Sequence, residues 1–188
     1  KVLLNFDGAD AATTITDSNI GGSAHIWTAA GNAQLDTAEK KFGTASLLCD
    51  GTGDYVTTPH SAGFAFGATA FTIDCWFNVN AASGTQLSLA GQCDSTPTAV
   101  STSFFMSRTV TDVMACAVGV GGSFFAIAGT TIFTDAVNPG WHHFAMVWTG
   151  TTLMLFIDGV QAGGDLAVEG PINDSANALS VGRFGEVT

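Results

Sequence analysis

The sequence predicts an all-β fold, a two-sheet antiparallel jelly-roll sandwich, and three observations carry that prediction. Apolar and polar residues alternate with a period of two along most of the chain. Helical periodicity is nearly absent. Turn signals interrupt the apolar runs at roughly 8–12-residue intervals, the spacing of a sandwich or jelly roll. The clearest alternation is FTIDCWFNV, residues 71–79. Phe71, Ile73, Cys75, Phe77 and Val79 fall on one face, and Thr72, Asp74, Trp76 and Asn78 on the other. Such a strand lays one face on a core and turns the other to water or a ligand.

In chain order, strands are expected at KVLLNF (1–6), ASLLCD (45–50), DYVTT (54–58) and 71–79. TQLSLAGQ (85–92), TSFFMSR (102–108), VMACAVGV (113–120), SFFAIAG (123–129) and ALSVG (178–182) continue the series. SAGFAFG (61–67) reads as a short helical turn. DGTGD (50–54), GVGGS (119–123), NPGW (138–141) and GTT (150–152) are the turn signals between runs. WHHFAMVWTGTTLMLFIDG (141–159) reads as a hairpin closed by a tight Gly-containing turn. His142, Phe144, Met146 and Trp148 share one face of it, and His143, Ala145, Val147 and Thr149 the other. Adjacent histidines on a strand point apart, so the two cannot ligate one ion together. Asp158-Gly159 reads as a turn pair. There is no repeat and no linker, and the chain reads as one domain.

Composition excludes several classes of function. The 188 residues suffice for one well-buried core. Five Lys and Arg stand against 16 Asp and Glu, a formal net charge of −11, which repels phosphate backbones and anionic membranes alike. Nucleic acid is therefore not an expected partner. No apolar stretch reaches the roughly 18 residues of a membrane span. The chain opens at Lys1, which implies a segment upstream that was removed or never included. Cys49, Cys75, Cys93 and Cys116 form no C-x-x-C pair. They read either as small apolar thiols or, for Cys93 and Cys116, as a bridge between neighbouring strands.

Five blocks then carry a resemblance: LLNFDGAD (3–10), KFGTASLLCDGTGDYV (41–56), FAFGATAFTIDCWF (64–77), WHHFAMVWTGTTLMLFIDGVQ (141–161) and ALSVG (178–182). In this order they resemble the concanavalin A-like lectin/glucanase superfamily, specifically its laminin-G-like jelly rolls of extracellular and phage tail or virion proteins. The resemblance implies two antiparallel sheets, one concave, with binding sites on the concave face or the loop rim. It also implies an extracellular or virion-surface location. Two departures stand out. The family closes with one more strand, whereas only RFGEVT (183–188) follows here, so that strand is expected to be missing or supplied by a partner. The glucanase branch needs an E-x-D-x-E strand, and Glu39, Glu169 and Glu186 form none.

Chemistry narrows in the same way. A retaining glycosidase needs two carboxylates about 5–5.5 Å apart, one with a raised pKa. Asp7/Asp10, Asp50/Asp54 and Asp158/Asp165 are the close pairs, and all lie in turn-like sequence. A serine triad has no G-x-S-x-G elbow, and Cys93 is the one cysteine placed to be an exposed nucleophile. Asp7, Asp10 and Asp17 in DGADAATTITDSN (7–19) are the expected metal ligands, for one structural Ca²⁺, since an Asp- and Gly-rich loop supplies hard oxygen donors. The resemblance places such an ion near this segment. Sugar binding requires an aromatic platform with polar groups around it. Trp76, beside Asp74 and Asn78, is the first candidate; Trp27 is the second, with Tyr55, His60 and Arg108 as neighbours. The expected function is a non-enzymatic recognition or assembly module of a virion or extracellular fibre, binding glycans or other coat proteins and copies of itself. A dedicated secreted lectin domain is the alternative, and a glycoside hydrolase the remote one.

Overall fold

A computed structural model describes residues 1–80, 83–84 and 86–183. The segment after Arg183, and with it the expectation about a closing strand, lies outside the described residues, as does the start of the run expected at 85–92. The strands are β1 (Thr28–Ala30), β2 (Gln34–Asp36), β3 (Ser46–Leu48), β4 (Tyr55–Thr58) and β5 (Phe71–Asn78). They continue with β6 (Leu87–Gln92), β7 (Phe104–Arg108), β8 (Val113–Val120), β9 (Ser123–Ile132) and β10 (Trp141–Trp148). β11 (Thr152–Ile157), β12 (Val160–Gln161), β13 (Leu166–Ala167) and β14 (Leu179–Val181) complete them. One 3₁₀ turn, Ala62–Phe64, stands where a helical turn was expected.

Every strand pairing is antiparallel, in two large sheets and a small hairpin. One sheet runs β1-β4-β14-β6-β7-β8-β9; the other runs β12-β11-β10-β5, with β13 also on β11; β2 and β3 pair alone. The inward alternating residues of both large sheets meet in one core. Val56, Phe104, Met106, Met114, Cys116 and Val118 enter it from the first sheet, and Phe77, Phe144, Met146, Trp148, Leu153 and Leu155 from the second. β5 and β10 pair over eight consecutive positions, from Trp141↔Asn78 to Trp148↔Phe71. This register lays Thr72, Asp74 and Trp76 beside Val147, Ala145 and His143 on the outer face. On the seven-stranded sheet the outward positions of β7 and β8 carry small side chains, Ser107, Ala115 and Ala117, all buried. There Phe105 lies 5.6 Å from the ring of Phe124.

The structure corrects the expectation for residues 1–6. Leu4 makes only an isolated bridge to Asp17, and Phe6 takes a φ of 54°, which ends any extended run. β9 continues to Ile132, past the expected end at residue 129. A Cys93–Cys116 bridge is not formed; none of the four cysteines is in a disulfide. Cys93 packs with Phe105 and Ala117 outside the first sheet, while Cys116 belongs to the main core on its other side.

Phe144 is fully buried at the centre of the sandwich. Phe144→Ala is expected to destabilise the protein by about 3–5 kcal/mol, the cost of truncating a core aromatic, read from the midpoint of urea unfolding.

Candidate functional site

The outer face of β5 presents the most accessible indole among the described residues. Trp76 is 39% exposed, whereas Trp27 and Trp148 are buried. Its direct cross-strand neighbour is His143, with ring centroids 5.3 Å apart. Asp74, two residues earlier on the same face, accepts at Oδ2 from His143 Nε2 at 2.9 Å. The third side comes from the loop between β2 and β3. Phe42 meets the Trp76 ring edge-on at 5.5 Å, and Lys41 Nζ sits 4.3 Å from the Trp76 ring centroid. An aromatic surface thus lies among a carboxylate, an imidazole and an ammonium. Sequence reasoning identified Trp76 and Asp74 by alternation but missed Lys41 and Phe42. The available signal was KKF (40–42), the one pair of adjacent cations in an acidic chain.

Two of the three expected metal ligands, Asp7 and Asp10, hold that loop. Asp10 Oδ1 accepts from the Thr37 N–H at 3.1 Å and the Thr37 hydroxyl at 3.2 Å, at the start of the loop. Asp7 Oδ1 accepts from the Thr44 N–H at 2.6 Å and the Thr44 hydroxyl at 3.1 Å, at its end. Gly43 between them has a φ of 64°, and a Cβ there would strike the Asp7 carboxylate, so glycine is required on both counts. Asp17 works elsewhere. Its Oδ1 accepts from the Leu3 and Asn19 N–H groups, each at 3.0 Å. Its Oδ2 accepts from the His25 N–H at 2.9 Å and meets His25 Nδ1 at 3.0 Å. Burial pushes this carboxyl up, but the hydrogen bonds from His25, Leu3 and Asn19 outweigh it and hold it at about 2. Asp7 and Asp10 therefore serve the two ends of one loop and Asp17 a separate segment, and the four contacts on Asp17 occupy the lone pairs a cation would need. These residues do not fit a shared Ca²⁺ donor set, and no group of three or more His, Cys, Asp or Glu among the described residues gathers as a metal cluster.

Three further candidates are corrected. Trp27 is buried in the core at 6% exposure, because its side chain fills the space between strands, and it offers no platform. Arg108 is wholly buried; its Nη1 donates to the Phe133 carbonyl at 2.8 Å and lies 3.5 Å from Asp112 Oδ1. It cannot reach a surface ligand. Asn78 is half-buried with its Oδ1 shielded from solvent, so that oxygen is not presented to a ligand beside Trp76. The two histidines do part across the sheet. His142 turns inward to within 4.9 Å of the Phe133 ring, and its Nδ1 contacts Asp158 Oδ2 at 2.7 Å.

The titratable groups have a common tendency. Burial works to raise Asp158, yet hydrogen bonds from the His142 side chain and the His143 N–H leave its carboxyl below the usual range. The Asn32 side chain and the Thr52 N–H lower Asp50, and the Ser83 hydroxyl leads the groups that lower Asp112. Among the described residues, the carboxyls that move, Asp17, Asp50, Asp112 and Asp158, all move downward, the opposite of a general acid. Burial pushes the Cys49 thiol up to about 11 and the Cys75 and Cys116 thiols up to about 12. Cys93, expected as an exposed thiol, is fully buried.

Two packed antiparallel sheets with an aromatic patch on a sheet face define a lectin-like β-sandwich. The chain belongs to the concanavalin A-like lectin/glucanases superfamily, whose laminin G-like family model matches residues 50–185. No curated protein matches it in sequence. Among solved structures it is similar to the binding domain of botulinum neurotoxin DC in complex with rat synaptotagmin II, at 14% identity and a TM-score of 0.62, over 92% of this chain and 41% of that one. The same toxin domain in complex with SialylT gives 12% identity and a TM-score of 0.64, over 98% of this chain and 43% of that one. This chain thus spans about two fifths of those structures. Domain 4 of AbnA, a GH43 extracellular arabinanase from Geobacillus stearothermophilus, in complex with arabinotriose, gives 14% identity and a TM-score of 0.54, over 98% of this chain and 94% of that one. At these identities the likeness is one of fold.

If Asp7 and Asp10 anchor the loop, Asp7→Ala and Asp10→Ala should each accelerate backbone amide exchange across residues 37–44, with little change in melting temperature. Unchanged exchange there would remove their assigned role.

Proposed function

We propose that this chain is a non-catalytic recognition module that holds a glycan against Trp76, carried on a virion or extracellular fibre. The observation that carries the reading is the exposed Trp76 indole on a strand paired over its whole length, with Asp74, His143 and Lys41 around it. A sugar ring stacks its C–H face on such an indole, and the polar groups fix its hydroxyls. Asp17, Asp50, Asp112 and Asp158 are held low, which suits none of them to general-acid work, and the raised Cys49, Cys75 and Cys116 thiols lie far from the thiolate a nucleophile needs; both support binding without cleavage. Similar folds solved with SialylT and with arabinotriose support a carbohydrate as the ligand class. The virion or fibre setting rests on the sequence resemblance.

A glycan array tests the reading. Trp76→Ala is expected to lower the affinity for any bound glycan by about tenfold to thirtyfold, as for a central aromatic anchor. As a surface change, it should shift stability by no more than about 0.5 kcal/mol. If no sugar class binds the wild-type protein, the reading fails.

The assembly reading has an observation of its own. β9 is ten residues long, SFFAIAGTTI, with no charged side chain, and among the described residues it pairs with β8 alone. Natural edge strands are usually blunted by charge or proline. In a chain of net charge −11, this neutral edge is where a second copy could pair without repulsion. Light scattering should then find a dimer that Phe124→Lys dissociates; a monomer at every concentration ends this reading.

A further inference from the structure

The charge around Trp76 specifies its ligand more closely than the fold does. The chain has five basic side chains, Lys1, Lys40, Lys41, Arg108 and Arg183. Arg108 is buried within the sandwich. Arg183 lies over the Tyr55 ring, its guanidinium carbon 3.5 Å from the centroid. Lys40 Nζ donates to the Thr37 carbonyl at 2.6 Å, within the loop that Asp7 and Asp10 anchor. Lys41 is exposed and lies against aromatic rings, 4.3 Å from the Trp76 centroid and 5.7 Å from that of Phe42.

With 16 acidic side chains available, a lysine commonly finds a carboxylate. Among the described residues, none lies within 4.0 Å of Lys41 Nζ. Asp74, the acid on the same sheet face, has Oδ2 on His143 instead. The binding face therefore holds an ammonium whose own chain supplies cation–π contact but no counter-charge. Such a contact is weak at an exposed site and readily exchanged.

We propose that the Trp76 site selects a carboxylated sugar at the end of a glycan, with Lys41 as the partner of the carboxylate. This rests on the glycan-binding reading above. On binding, the sugar's C–H face replaces the ammonium over the indole. Lys41 then swings on its flexible stem to the carboxylate, exchanging a cation–π contact for an ion pair. Asp74 accepts from a sugar hydroxyl on the other side of the ring. The net charge of −11 sets the limit on ligand charge: one carboxylate is admitted at Lys41, while a polyanionic chain is repelled by the surface around it.

The probes are methyl β-glucuronide and methyl β-glucoside, which differ only by carboxylate against hydroxymethyl. Binding is read from the indole N–H resonance of Trp76, assigned by its loss in Trp76→Ala. In low salt the glucuronide is expected to bind about threefold to fivefold more tightly than the glucoside, the range of one exposed ion pair. The preference should vanish in Lys41→Gln and in high salt, and return in Lys41→Arg. Trp76→Ala should lose both ligands. Equal affinity for the two in the wild type, with both lost in Trp76→Ala, overturns the carboxylate assignment and leaves the glycan reading standing. Preference for a sulfated polysaccharide over the glucuronide also overturns it. If neither these probes nor any other glycan moves the Trp76 resonance, the glycan reading falls and takes this one with it.

Discussion

The register of β5 against β10 is the constraint from which the rest of the molecule follows. Eight consecutive antiparallel pairs join the two strands, and each strand divides its side chains between core and solvent. Because the side-chain period is two, a slip of one residue in either strand would exchange its faces. Phe77, Phe144, Met146 and Trp148 would leave the core, and Trp76 and His143 would enter it. The burial that stabilises the sandwich therefore also fixes which aromatic reaches solvent. Stability and recognition share one geometric condition.

Around that pair, the acidic character of the chain is used locally as well as globally. Asp7 and Asp10 brace the two ends of a loop, Asp17 gathers the backbone N–H groups of Leu3, Asn19 and His25, and Asp158, just past β11, holds the His142–His143 end of β10. Each carboxylate substitutes for hydrogen bonds that irregular backbone cannot make with itself. This explains why a β protein with long connections is rich in Asp and poor in Glu. The shorter side chain reaches its own neighbourhood, where Glu would extend past it.

Much of this was legible in the sequence wherever a face was buried. The expected run 113–120 is β8 residue for residue, and 71–79 differs from β5 at one end only, because core burial enforces strict alternation. The opening run KVLLNF has the composition of a strand, yet Phe6 turns to positive φ and the segment is held by Asp17 instead. β2 and β3, three residues each, are too short for a period to register. The site divides in the same way. Trp76 and Asp74 lie on a periodic strand and could be read; Lys41 and Phe42 lie on a loop whose path depends on Asp7, Asp10 and Gly43 acting together. Trp27 was misplaced because a single tryptophan outside a periodic run has no readable direction; Arg108 ends the expected strand 102–108 in phase with the core residues Phe104 and Met106, and its charge hid an inward position that alternation gives.

The separation of the β2–β3 hairpin from both large sheets has a consequence for how such a surface can diversify. Half of the aromatic patch is built into β5 and β10, whose path and register the core beneath them fixes. The other half is carried on a loop between two strands that, among the described residues, pair only with each other. Residues 38–42 can therefore vary in charge, size and length while the scaffold beneath stays fixed. The molecule is arranged as a constant plate with an interchangeable edge, so its specificity can drift or be regrafted without refolding the protein.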